Sequence, residues 1–504
     1  MKLQNYIALL ALFTVAASLR AQYVPPMLPA PAPSLIDDQL HAWSPALEDW
    51  DLGINDRFRE EDKLGAGFNH AGSNYDFSSK PVGENNDNYQ LSRLMPRIGY
   101  TGDWFAAMVE GRSSYSFGDN RYNKTAAGYG LTEDNGPFEL QQAYVAFGNL
   151  KKFPLTLKVG RQELVYGEQR LIGNFLWNND ARTFDAVKLR YQDSFFGVDL
   201  FTSRVVYNHF DHFNESDPHD TFSGAYFDFP GLSKRMVTET YLLARNVERT
   251  VVTDNWSQVP APFRFPGPED IYTAGFRVKS KPAAFGPWDF GLEAMDQFGD
   301  RTAVFPATTV PAALAAPRLD QHAWAFVAQG GYTLTQCPWT PRLALIASGA
   351  SGDKNLNDHS SETFQNLFPT NHQLYGTMDL SSLQNLFDDR LALSVKPTKT
   401  TDFALEVHQQ YLESTDDYWY NVAGVPRNTP GAAAGSGKGF GLNPTYSSDL
   451  GQEVDLIGGW SPVKWLSLEA GGGHYFRGEY IKQSFRVVGS KDANYVYAQT
   501  TFNF

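Results

Sequence analysis

The last eleven residues, Asn494 to Phe504, read NYVYAQTTFNF and stop on a bare aromatic. In an extended strand Val496, Ala498, Thr500, Phe502 and Phe504 share one face, and Tyr495, Tyr497, Gln499, Thr501 and Asn503 share the other. One row suits lipid and the other a wet lumen, which is how the closing strand of an outer-membrane β-barrel is written. That ending predicts compartment and fold class together.

The amino terminus agrees. Lys2 precedes an apolar stretch from Tyr6 to Leu19, and the small residue Ala21 stands just before Gln22 and a proline-rich segment. Residues 1–21 therefore read as a secretory signal peptide, residues 22–49 as a proline-rich periplasmic leader, and residues 50–504 as the barrel. The apolar run is shorter than the roughly 20 residues a spanning helix needs, and no later segment supplies that length.

Length alone would allow several soluble domains of roughly 150 residues each. Composition argues against them: aromatics make up 14% of the 504 residues and charged residues 19%, with 43 glycines and no long helical period. A wide barrel reconciles a mean hydropathy of -0.38 with residence in a membrane, because only alternate residues of each strand meet lipid. The single cysteine, Cys337, excludes an internal disulfide framework and a thiolate metal cluster.

Alternating stretches bounded by turn chemistry predict strands near 50–60, 89–100, 104–117, 137–148, 154–162, 183–192, 197–207, 219–228 and 235–245. Further strands fall near 271–280, 288–298, 321–332, 340–350, 389–396, 400–412, 451–460, 464–475 and 494–504. The connections alternate between short turns, such as Thr101-Gly102-Asp103 and Pro397 to Thr400, and long loops, such as 163–182, 351–388 and 413–450. An even strand number with tight periplasmic turns and long extracellular loops is the barrel rule, and eighteen strands leave an aqueous channel. A propeller or solenoid would need a repeat at fixed period, and none is seen.

Parity then assigns the lumen. Leu94, Ile98 and Tyr100 facing lipid send Arg93 and Arg97 inward, and Phe105, Ala107 and Val109 outward give Glu110 and Arg112 inward. By the same alternation Lys158, Lys188, Arg190, Arg277, Arg390 and Lys396 face in. An Arg or Lys at the lipid midplane costs roughly 2–4 kcal/mol, which makes the assignment firm. Inward carboxylates lie mainly on late strands: Glu293, Glu406, Glu453, Asp455 and Glu469. A cationic wall thus faces a more anionic one, and guanidinium groups in a row suit a chain of carboxylates, each held bidentately. The same charges also serve simply to solvate a wet lumen and to pair across strands.

Other clusters carry less. His209, His212 and His219 stand among Asp211, Glu215, Asp217 and Asp220, and Asp353, Asn355, Asn357 and Asp358 form an oxygen-rich run that lacks the sixth-position glycine and closing glutamate of a calcium loop. Hydrophilic loop composition accounts for both, and no metal or cofactor is expected. No nucleophile elbow or phosphate loop occurs, and His372 and His474 stand beside no serine motif, so no enzyme is expected.

Several stretches resemble the alginate export family of outer-membrane proteins. They are Val159 to Gly173 (VGRQELVYGEQRLIG) with Trp177, Arg182, Phe184, Asp185 and Ala186; Ala350 to Asp353; Leu367 to His372 with Tyr375, Gly376 and Asp379; Gln452 to Leu456; and Gly478-Glu479-Tyr480 with the terminal strand. The resemblance implies a monomeric barrel of eighteen strands that passes an anionic polyuronate outward through an arginine-rich constriction. Carried onto this chain it points to Arg161, Arg170 and Arg182 around the third long loop, with Arg93, Arg97, Arg112 and Arg190 in the wall. Gly160, Gly167 and Gly173 equally suit tight backbone turns, and Arg170 equally suits a pair with Glu168 or Asp185 that holds a folded-in loop.

The expectation is an outer-membrane channel exporting an acidic exopolysaccharide, surrounded by outer-membrane lipid, served by a periplasmic secretion scaffold and bound to no nucleic acid. The alternative is a substrate-selective uptake porin for small anions or oligosaccharides, which would use the same lumen in the other direction. Because every periplasmic turn is short, any plug must come from extracellular loops, and 351–388 and 413–450 are long enough.

Overall fold

Each alternating stretch becomes a strand, and each strand pairs antiparallel with the next. The structure, a computed structural model, describes residues 34–64, 77, 86–118, 136–149, 152–208, 213–248, 268–302, 316–372, 374–428, 440–484 and 490–504. The signal segment and residues 22–33 of the leader lie outside the described residues, as do His209, Asp211 and His212.

The strands are β1 (Trp50–Leu64), β2 (Asn86–Thr101), β3 (Phe105–Phe117), β4 (Gly136–Gly148), β5 (Leu155–Gln162), β6 (Phe184–Gln192), β7 (Gly197–Tyr207), β8 (Asp220–Asp228) and β9 (Met236–Val247). They continue as β10 (Glu269–Ser280), β11 (Trp288–Thr302), β12 (Arg318–Thr333), β13 (Arg342–Ala350), β14 (Leu386–Thr398), β15 (Thr401–Tyr411), β16 (Asp449–Val463), β17 (Leu466–Arg477) and β18 (Ala493–Asn503). All eighteen overlap a strand expected from the sequence. Closure comes from β1 pairing β18, with Asn55 opposite Asn503 and Leu64 opposite Asn494. The cylinder therefore has no open edge along the paired length, which a bilayer requires because it offers no water to an unpaired N–H or C=O.

Parity divides the wall. Leu94, Ile98, Val109, Val145, Leu157, Val187, Leu200, Leu242, Phe276, Leu292, Leu343, Leu391, Leu405 and Leu456 are exposed on the outside, forming the apolar band, while their strand neighbours turn into the bore. Near the short turns Trp50 packs edge-on to Tyr100 and Phe105 lies against Phe147, an aromatic girdle at the membrane boundary. One row departs from this: Asp56, Glu60 and Asp62 share the outer parity of Phe58, and Asp56 stands in register with Leu94 and Phe502. Nothing in the structure explains Asp56.

Barrel stagger leaves the foot of β1 projecting past the end of β18, and helix α1 (Leu35–Trp43) covers it. The hydroxyl of Ser34, the N-cap of α1, lies 2.9 Å from the Leu52 carbonyl and 2.5 Å from the Phe504 carbonyl. Asp37 accepts from the Leu52 N–H at 3.2 Å, and the His41 ring meets the Trp50 carbonyl at 2.8 Å. The second half of the segment read as a leader is thus a piece of the seam. Ser34→Ala should loosen α1 by about 0.5–2 kcal/mol, read as faster proteolysis within residues 34–49 while the barrel itself keeps its resistance.

Candidate functional site

Cationic side chains enter the bore from β1 to β6: Arg57, Arg59 and Lys63, then Arg93 and Arg97, Arg112, Lys158, Lys188 and Arg190. Acidic groups dominate the opposite arc, with Asp199 on β7, Asp228 on β8, Glu239 on β9, Glu293 on β11, Asp388 on β14, Glu406 on β15, and Glu453 and Asp455 on β16. Arg245 on β9, Arg277 and Lys279 on β10, Arg342 on β13 and Arg390 on β14 interrupt that arc, and Asp51, Glu61, Glu110 and Glu139 interrupt the basic one.

Two loops fold into this field. The β5–β6 loop (163–183) and the β13–β14 loop (351–385) meet in mid-bore through a short parallel pairing: Phe368 N–H donates to Leu171 O at 2.9 Å, Gly173 N–H to Phe368 O at 2.8 Å and Thr370 N–H to Gln169 O at 2.8 Å. Around the junction Leu164, Leu171, Ile172, Phe364 and Phe368 pack against Phe184, Phe201 and Phe222, which point inward from β6, β7 and β8. Trp419, from the loop after β15, adds to the same cluster. The bore is therefore not wet along its whole length; its middle and extracellular part carry packed apolar groups on folded-in loops. Toward the periplasmic side a cavity of about 410 Å³ remains, lined by Lys158, Lys188, Arg190, Asp199, Tyr226 and Glu239.

The residues singled out from the sequence fall into three settings. At the cavity, Lys188 pairs with Asp199 at 3.1 Å, and Arg190 reaches Asp199 at 3.2 Å and Asp228 at 2.5 Å. Lys158 lies there with its Nζ 3.5 Å from the Tyr144 ring centroid, and among the described residues it has no ion-pair partner. Lower in the wall Arg97 grips Asp51 at 3.1 and 3.0 Å while lying over Gly53, where a Cβ would stand 2.8 Å from the guanidinium carbon. Glu110 accepts from Gln142 at 2.8 Å.

The second setting is the loop's own frame. Arg161, expected in the lumen, instead shares the outer row of Leu157 and Val159 and binds Asp185 there bidentately at 2.9 and 3.1 Å, because strand alternation from the inward Lys158 turns it away from the bore. The adjacent Gly160, at φ +125°, places its backbone where a Cβ would collide with Ala143 O. Arg182 donates to the carbonyls of Gly173 at 3.2 Å and Pro369 at 2.8 Å, tying one loop to the other. Arg170 is buried between Glu168 at 3.1 Å and Glu293 at 3.6 Å, so Arg170 and Arg182 hold the folded-in loop in place. In the third setting wall residues meet loop main chain: Arg93 reaches Leu176 O at 2.8 Å and Arg112 reaches Ala181 O at 3.2 Å, while Asp455 accepts from the Thr377 hydroxyl at 2.6 Å.

Sequence reading missed Arg57 and Arg59. Their signal was present, since both flank Phe58 at the parity that faces the bore. Asp353, Asn355 and Asp358 accept from backbone N–H groups two residues on, the bonding of loop turns. Among the described residues no group of three or more candidate ligands could hold a metal ion.

A closed antiparallel cylinder with an apolar skin, charged lumen and inward-folded loops defines an outer-membrane channel of porin type. The chain belongs to the alginate export family, whose model matches residues 66–495. Solved structures of the same fold include Pseudomonas aeruginosa OccK9 (OpdG), at TM-score 0.53 and 10% identity over 91% of this chain and 99% of that one. A BenF-like porin from Pseudomonas fluorescens Pf-5 aligns at TM-score 0.51 and 10% identity over 91% and 99%, and P. aeruginosa OccK11 (OpdR) at 0.50 and 12% over 91% and 96%. No curated relative matches the sequence.

Glu168 anchors the β5–β6 loop from the other side of the bore, facing Arg170, Lys279 and Arg277. Burial opposes its ionisation, but those three cations outweigh burial and hold its carboxyl at about 2. Its contribution is therefore complete above the ordinary value of about 4.3 and is lost as pH falls toward 2. Glu168→Gln should weaken loop docking by about 1.5–3 kcal/mol, read at neutral pH as larger and noisier single-channel currents; wild-type currents should change in the same direction only on acidification below about pH 4.

Proposed function

We propose that this channel lies in the outer membrane of a Gram-negative cell and passes an acidic polysaccharide of uronate type outward. The observation that carries the reading is Lys158, an inward ammonium resting on the Tyr144 ring at the cavity beneath the loops, beside Lys188 and Arg190. A uronate residue presents a carboxylate and an apolar sugar face, and a cation set against an aromatic ring matches both. Lys188 and Arg190, partly neutralised by Asp199 and Asp228, can trade those partners for a passing carboxylate, so the chain is handed on and never trapped. Arg93, Arg97, Arg112, Arg170, Arg182, Glu110 and Asp455 set the field and the loop positions around that path. A passive pore has no direction of its own; polymer synthesis and a periplasmic scaffold behind it supply the push.

A second reading rests on the size of the cavity. At about 410 Å³ it holds a small solute, and a channel with folded-in loops also suits uptake of single anions or short oligosaccharides. A deletion strain separates the two: loss of secreted acidic polymer supports export, and normal secretion with impaired growth on uronates supports uptake.

Lys158→Gln should weaken polymannuronate block of the ionic current about tenfold, equivalent to about 1.4 kcal/mol, and leave block by a neutral glucan unchanged. Equal loss for both polymers would remove Lys158 from the recognition path.

A further inference from the structure

The wall arginines of β1 to β3 have partners that a transported polymer would have to replace. Arg57 and Arg93 stand directly opposite each other across the β1–β2 pair, a like-charge placement that costs energy unless acceptors lie between. Both donate to the same atom, Leu176 O, each at 2.8 Å, and Arg93 also reaches Asn178 O at 3.2 Å. Arg59 donates to Trp177 O at 2.7 Å, Ser114 to Asn179 O at 3.1 Å and Arg112 to Ala181 O at 3.2 Å. The carbonyls of Leu176, Trp177, Asn178, Asn179 and Ala181 thus form a row of oxygens laid along a row of cationic and hydroxyl donors. Trp177 closes the arrangement, lying 3.8 Å from the Arg59 guanidinium and stacked 3.7 Å from the His372 ring of the opposing loop.

We propose that residues 176–181 are a resident stand-in for the anionic chain: the loop's main-chain oxygens occupy the arginine track, and a polycarboxylate opens the bore by taking their place. This deepens the reading above and rests on it for the identity of the polymer. A carbonyl carries no net charge, and a guanidinium binds a carboxylate roughly twice as strongly. Exchange of carbonyl for carboxylate is therefore downhill where Arg57 and Arg93 meet Leu176 O and Asn178 O, while Arg59 and Arg112 also hold carboxylates, Glu61 at 2.7 Å and Asp180 of the segment itself at 3.6 Å. A neutral sugar offers hydroxyls that gain nothing over the carbonyls already there. Opening and charge selection become one event, and the bore stays closed to neutral solutes when no polymer is present. Displacing 176–181 also withdraws Trp177 from His372 and strains the contacts at Ile172 and Phe368, so the signal reaches the apolar junction that blocks mid-bore.

The test uses full-length protein in phosphatidylcholine vesicles, with Cys337→Ser removing the native thiol and a nitroxide on Asn178→Cys. Polymannuronate should raise the mobile fraction of the label several-fold, and a dextran of equal length should not. Arg57→Gln with Arg93→Gln should give the mobile spectrum with no polymer present. A spectrum unmoved by polymannuronate at concentrations that block the ionic current would overturn the stand-in while leaving polyuronate passage intact. Polyacrylate freeing the label while polymannuronate neither frees it nor blocks current would support the stand-in and sink the assigned substrate.

Discussion

The structure depends on one demand: in hydrocarbon no backbone N–H or C=O is left without a partner. Eighteen strands meet it by closing β18 onto β1, and where the stagger leaves the foot of β1 bare, Ser34, Asp37 and His41 of the α1 segment supply partners from their side chains. Among the described residues irregular backbone is consequently confined to the ends of the cylinder and to its bore. That confinement is why the long loops, with their own polar main chain, become the natural lining of the lumen, and why inward guanidinium groups find carbonyls to bind.

Electrostatics then sets the character of the lumen independently of total charge. The chain carries a formal net charge of -14, yet β1 to β6 present a concentrated set of arginines and lysines inside a low-dielectric wall. Across the bore, Asp199, Asp228, Glu239 and Glu293 pair with those cations or with Arg170 and Arg277, so most inward charges are balanced locally. Lys158 is one departure from that balance among the described residues, and a Tyr144 ring in place of a carboxylate beneath it keeps the ammonium available.

How much was legible follows from what is local. Strand positions were readable because alternation is a property of neighbouring residues, and every expected strand is present, including the one at Asp220–Asp228 that follows a loop rich in histidine and aspartate. Inward pointing was readable wherever the opposite row was apolar, as for Arg93 beside Leu94. It failed to give the content of the bore on β6 to β8, where Phe184, Phe201 and Phe222 turn inward to meet loops whose approach no local pattern encodes. Pairing Ile172 with Phe368, or Arg170 with Glu293, joins segments far apart in sequence, so although the local pair of Arg170 with Glu168 was readable, the hold of Arg170 on Glu293 and of Arg182 on Pro369 emerges only in three dimensions. The seam helix was hidden for the same reason: proline-rich composition ahead of Ser34 reads as a linker, and only the overhang of β1 gives the following residues something to cap.

The zero-current potential of the reconstituted wild-type protein under a potassium chloride gradient tests the central claim most directly, because it weighs the lumen's field without any added polymer. A cationic bore predicts preference for chloride, deepening as ionic strength falls and screening weakens. Preference for potassium, or none at low salt, would mean that the inward carboxylates govern the path and that the arginine and lysine wall does not select what passes.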